Sequence, residues 1–140
     1  MIVDLEEKSE TGSFDLKGGG RVHLRLLMSN DLKEIRKATI TTVIEYPLLK
    51  AADGKETYQR FEAQRFDPDL FDEMKWDLAI TGWDDIYDCN QIPIPVTKDN
   101  KNLLMKLVAE FKQAVEDGLK ALQDADKERH EAARKNLSTG

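Results

Sequence analysis

The sequence predicts an α+β fold: antiparallel β hairpins packed against helices, with a long C-terminal helix. Three observations predict it. From Phe14 to Phe66 the chain alternates apolar with polar residues or runs through β-branched ones, broken by Gly18-Gly19-Gly20 and Asp53-Gly54, which is the pattern of hairpins and their turns. Asp67-Pro68-Asp69 is a cap followed by proline at a first helical position. Beyond Thr97, apolar residues recur at spacings of four and three, the stripe of an amphipathic helix.

Residues 1–12 end in the polar run Glu6-Glu7-Lys8-Ser9-Glu10-Thr11-Gly12. They read as a flexible lead-in, too poor in apolar groups to order itself. Phe14 and Leu16, then Val22, Leu24 and Leu26, alternate with polar neighbours across the triple glycine, giving a hairpin with one wet face. A phosphate-binding loop would need a helix and a Lys-Ser/Thr pair after the glycines, and a strand follows instead. Ser29 or Asn30 caps a short helix over 31–38, anchored by Leu32 and Ile35. Thr39 to about Lys50 and Thr57 to Phe66 form a second hairpin, whose outer strand has no strongly apolar face and suits an edge.

The helix opened by Pro68 is expected to carry Trp76, Ile80 and Trp83 at i, i+4 and i+7 on one side, and Gly82 offers its end. An acidic, irregular loop to Val96 follows, kept out of helix by Pro93 and Pro95. Thr97 caps a last helix whose seam is Leu104, Val108, Phe111, Val115 and Leu122, with Gly118 in the vacant position and Leu103, Leu107 and Leu119 widening the stripe. Residues 13–122 thus form one α+β domain. Residues 123–140 are a charged tail, helical or disordered.

The chain has 140 residues, 21 bases against 27 acids and a net charge of −6. A duplex-binding surface needs a local surplus of Lys and Arg, so no nucleic-acid partner is expected. Apolar runs fall far short of the roughly 20 residues of a membrane span, and the first residues lack a secretion signal, so a cytoplasmic setting is expected. One cysteine, Cys89, excludes an internal disulfide, and a thiol beside Asp88 is a poor nucleophile.

Asp84, Asp85, Asp88 and Asn90 offer oxygen ligands at close spacing, but they lack the central glycine and closing glutamate of a calcium loop. A solvated acidic loop is the expectation, with a small metal-dependent enzyme on Asp84, Asp85 and Asp88 as an alternative. His23 and His130 lie far apart, and no catalytic, cofactor or metal set is expected. Leu104 to Val115 are expected to bury on the domain's own sheet. Leu119 and Leu122 are open either to the sheet or to another chain.

Taken in order, Arg21-Val22-His23-Leu24-Arg25-Leu26-Leu27, Asp31-Leu32-Lys33-Glu34-Ile35-Arg36-Lys37, Phe71-Asp72-Glu73-Met74-Lys75-Trp76-Asp77, Ile80-Thr81-Gly82-Trp83-Asp84-Asp85-Ile86 and Ile94-Pro95-Val96-Thr97-Lys98-Asp99-Asn100-Lys101 resemble the tail assembly chaperones of long-tailed bacteriophages. The similarity spans about residues 13–122. Where many relatives carry Asn-Gly, this chain has Asn90-Gln91, which weakens the expectation of a tight turn there. The resemblance implies a non-enzymatic protein of the host bacterial cytoplasm that coats the tape-measure protein and leaves as tail-tube subunits polymerise. It also admits a homo-oligomer, and another phage structural or scaffolding protein is the nearest alternative. With the resemblance, the candidate partner-binding residues are Trp83, Asp84 and Asp85 in the loop and Leu104, Val108, Phe111, Val115, Leu119 and Leu122 on the last helix.

Overall fold

In a computed structural model, which describes residues 9–139 and side chains through residue 135, the chain first folds back at the triple glycine. β1 (Thr11–Asp15) and β2 (Arg21–Arg25) pair antiparallel, with Ser13 opposite His23 and Phe14 opposite Val22. Gly20 sits at φ +91, and a Cβ there would meet the Asp85 carbonyl at 2.9 Å, so both conformation and space call for glycine. The Glu10 carbonyl accepts the Leu26 N–H at 2.8 Å. The sheet therefore begins inside the segment read as a lead-in, whose residues 1–8 lie outside the described ones.

α1 (Ser29–Thr39) starts one residue after Met28, earlier than the sequence suggested. Its N-cap N–H is served from inside the first turn, because Asp31 Oδ2 accepts the Met28 N–H at 2.9 Å; the same oxygen accepts the Arg25 guanidinium at 3.1 Å. The Met28 N–H holds the Asp31 carboxyl below its ordinary 3.8; partial burial opposes this, and Arg25 adds to it. A carboxyl lowered on folding stabilises the fold above its unfolded pKa, and that stabilisation is lost as pH falls through the lowered value. Asp31→Asn is thus expected to cost about 1 kcal/mol at pH 7 and to flatten the acid limb of stability against pH. Urea unfolding from pH 7 to pH 3 checks this, and superimposable curves for the two proteins would refute it.

The second hairpin is an arm. β3 (Ile40–Glu45) pairs with β6 (Phe61–Phe66), and β4 (Leu48–Lys50) pairs with β5 (Glu56–Tyr58). One register runs through both, from Ile40 opposite Phe66 to Lys50 opposite Glu56. Every residue from Ile44 to Glu62 is exposed. Helices cover the first hairpin but not this one. At its base Phe66 meets Phe71 edge to face, with centroids 5.5 Å apart.

α2 (Pro68–Ala79) begins as read, with Asp67 Oδ1 accepting the Leu70 N–H at 3.1 Å. It stops earlier than expected. Ile80–Asp84 is a strand, β7, that pairs with the free edge of β2 and completes a three-stranded sheet in the order β1-β2-β7. Trp83 lies opposite Val22 and Ile80 opposite Leu24, with an irregularity between His23 and Leu24. Without that bulge, residues three apart would face opposite sides. With it, Thr81 turns out while Ile80 and Trp83 both turn in, which corrects the single helical side expected for Trp76, Ile80 and Trp83.

The last helix is two. α3 (Lys98–Leu107) is capped by Thr97, whose Oγ1 accepts the Asn100 N–H at 3.2 Å. It ends at Val108, which is extended at φ −112, ψ 97, and α4 (Ala109–Thr139) follows in a new direction. α3 packs against α2, and α4 lies across β1 and β2. The tail beyond residue 122 is helical, with Arg129 paired to Asp126 at 2.8 Å and to Glu10 at 3.4 Å. Between sheet and helices lies the core of Val22, Leu24, Ile80, Trp83, Leu104, Met105, Phe111, Val115 and Leu122. No helix among the described residues is long and apolar enough to cross a membrane.

Candidate functional site

The α3–α4 break and the loop from Asp85 to Val96 together build an apolar groove. The loop is a small hairpin, not an irregular excursion. Asp88 Oδ1 accepts the N–H groups of Asn90 at 2.8 Å and Ile92 at 3.0 Å, and the Asp88 N–H donates to the Ile92 carbonyl at 2.9 Å. Gln91 adopts φ +60, a conformation that glycine takes at less cost. The tight turn therefore forms despite Asn90-Gln91, held by the Asp88 carboxylate. The loop is pinned to the body by Trp83 Nε1, which donates to the Ile94 carbonyl at 2.9 Å, and by Asn100 Nδ2, which donates to the Pro95 carbonyl at 2.9 Å.

Two adjoining cavities of about 360 and 410 Å³ share Ile94, Leu104 and Val108 as a common wall. The first is also lined by Leu16, Ile86, Tyr87 and Phe111 with the acids Asp85 and Glu110, the second by Ile92, Pro93, Pro95, Leu103 and Leu107 with Asp88. Leu103 is 52% exposed, Leu107 76% and Val108 40%. Had the helix run straight, Val108 would have continued the buried seam. The break turns it outward and leaves Leu103 and Leu107, four apart on α3, as an open apolar face beside the loop.

The acids of residues 84–88 are engaged one by one. Asp85 Oδ1 accepts the Tyr87 hydroxyl at 3.1 Å, which raises the Tyr87 phenol above its usual range. Asp84 Oδ2 lies 2.7 Å from His23 Nε2, and His23 Nδ1 lies 2.7 Å from Ser13 Oγ. Asp88 is occupied by its own turn. No three potential metal ligands converge among the described residues.

The Ser13–His23–Asp84 line escaped the sequence reading, although the hairpin register about the triple glycine places Ser13 beside His23. A neutral imidazole would donate from Nε2 to Asp84 and accept at Nδ1 from Ser13. Such a line activates a serine when water is excluded and an oxyanion is held by fixed donors. Here it crosses the wet face of the sheet with the Asp84 side chain 63% exposed, and it joins three strands.

The candidate partner-binding residues divide by burial. Trp83, Leu104, Phe111, Val115 and Leu122 are closed within the core at 8% exposure or less. Trp83, Val115 and Leu122 line neither cavity and offer no surface to another chain in this conformation, whereas Leu104 and Phe111 show only a small part of their side chains, as lining of the groove. Leu122 packs on Gly12, where a Cβ would lie 3.1 Å from Leu122 Cδ2, and Leu119 is half-buried. Asp84, Asp85 and Val108 are exposed. Tyr87, Ile92, Leu103 and Leu107 complete the surface; for Leu103 and Leu107 the available signal was their position off the buried seam. No family model, no curated protein and no solved structure matches this chain.

Proposed function

We propose that this chain is a non-enzymatic assembly chaperone of the phage-tail type, acting in the host bacterial cytoplasm. It holds an apolar segment of a tape-measure polypeptide and gives it up as tail-tube subunits polymerise. The observation that supports this reading is the open face of Leu103, Leu107 and Val108 beside the cavity pair. An amphipathic helix laid in such a groove buries its apolar stripe at i, i+3 and i+4 positions. The acids that line the groove, Asp85, Asp88 and Glu110, disfavour an acidic segment and suit one with flanking Lys or Arg.

Co-expression with a tape-measure polypeptide of the phage-tail type tests the proposal. That polypeptide is expected to stay soluble and co-purify with the wild-type chain. The pair is expected to be lost with Leu103→Asp/Leu107→Asp, whose melting temperature should stay close to wild type because both side chains are exposed. Retention of the polypeptide by the double variant, or its indifference to the wild-type chain, would refute the proposal.

A further inference from the structure

The 40–66 arm exposes Ile44, Tyr46, Leu48, Leu49, Tyr58 and Phe61, each at 40% or more, on a ribbon two strands wide. A two-stranded ribbon alone in water is marginal, and three or more strands are needed for independent stability. We propose that the arm pairs with the arm of a second copy of this chain, antiparallel, through the free edge of residues 40–50.

The two edges of the ribbon differ. The strand from Glu56 to Phe66 carries Glu56, Arg60, Glu62 and Arg65, the charges that natural sheets place on edges to block pairing. The strand from Ile40 to Lys50 carries only Glu45 and Lys50 and begins with Ile40-Thr41-Thr42-Val43-Ile44, a run that favours strand pairing. Pro47 does not protect this edge. Its carbonyl accepts the Gln59 N–H at 3.2 Å, so its missing N–H falls on the inner side. By the two-residue period, Thr42, Ile44, Tyr46 and Leu48 turn their N–H and C=O groups outward.

Charge balance suits a second copy as the occupant. The arm holds four acids, Glu45, Asp53, Glu56 and Glu62, and four bases, Lys50, Lys55, Arg60 and Arg65, so the whole net charge of −6 lies outside it. Within the arm, Arg65 pairs with Glu45 at 2.7 Å and Arg60 with Glu62 at 3.0 Å. Two arms can therefore meet with balanced charge. An antiparallel match puts the two acidic bodies at opposite ends of roughly 35 Å of strand, several times the screening length of about 8 Å. The contact is isologous and closes on itself as a dimer. It uses a different surface from the groove and does not depend on what the groove holds.

Light scattering of the full chain at tens of micromolar is expected to give twice the 16.0 kDa chain mass. Ile44→Lys/Leu48→Lys, both at exposed edge positions, is expected to return the mass to that of one chain with an unchanged circular dichroism spectrum. Should that variant misfold, hydrogen exchange on the wild type decides: the amides of Thr42, Ile44, Tyr46 and Leu48 should slow at least tenfold between low and high protein concentration. A wild-type chain that stays monomeric at hundreds of micromolar, a dimer that survives the double substitution, or exchange at these amides that slows only when a different polypeptide is added would each overturn the proposal.

Discussion

Phe111→Ala is expected to lower unfolding stability by about 3–5 kcal/mol, the range for removing a buried aromatic side chain. Phe111 is 1% exposed and stands edge-on to Trp83, with ring centroids 5.9 Å apart at 89°. It is also where α4 first enters the core after the break at Val108. Truncation removes the aromatic pair, leaves a void beside the groove, and takes from Trp83 the neighbour that helps fix the loop anchored on Ile94. A domain of this size has only about 5–15 kcal/mol in total, so the urea midpoint should fall by about a fifth or more. Phe111→Leu, which keeps most of the volume, should lose less than half as much. A loss under 1 kcal/mol for the alanine variant would mean that α4 is not seated as described.

Gly118→Val is expected to cost about 2–3 kcal/mol, although glycine within a helix is itself unfavourable by about 1 kcal/mol relative to alanine. A Cβ at Gly118 would lie 2.6 Å from Leu24 Cδ1 and 2.7 Å from Phe14 Cδ2. Leu24 is 1% exposed and has nowhere to go, so the overpacking outweighs the gain in helix propensity. Gly118→Ala should already destabilise, by a smaller amount. If alanine instead raised the thermal midpoint, as it would at an open helical site, the close approach of α4 to β1 and β2 would be wrong.

Gly118 illustrates how far the sequence could be read. Its place in the seam of fours and threes was plain, and so was the side of α4 that faces the sheet. That the vacancy is the point of closest approach depends on Phe14 and Leu24, which only the fold brings there. The first hairpin, the Asp67 and Thr97 caps and the Pro68 start were legible because each rests on local chemistry. The end of α2 was not, since a helix followed by a bulged strand satisfies the same i, i+4, i+7 spacing as a longer helix. Nor was the break at Val108, because the apolar spacing continues across it.

The same limits governed the candidate site. Asp84, Asp85 and Val108 could be singled out and are exposed, whereas Leu122 stays open to a partner in the sequence because the charged tail around it offers little to pack on, and its neighbour in the fold, Gly12, gives no hydrophobic signal. The arm was recognised as a hairpin. That it stands clear of the domain follows from where α2 and β7 go, which its own residues do not encode.

The proposed partner segment has two apolar surfaces to choose between, the α3 face with the 85–97 loop and the seam of α4. Hydrogen exchange of the full chain, with and without the co-expressed tape-measure polypeptide, separates the two. Slowed exchange confined to residues 85–108, with residues 111–122 as protected in the free chain as in the complex, is the predicted result. Residues 111–122 that exchange freely alone and become protected only in the complex would contradict it.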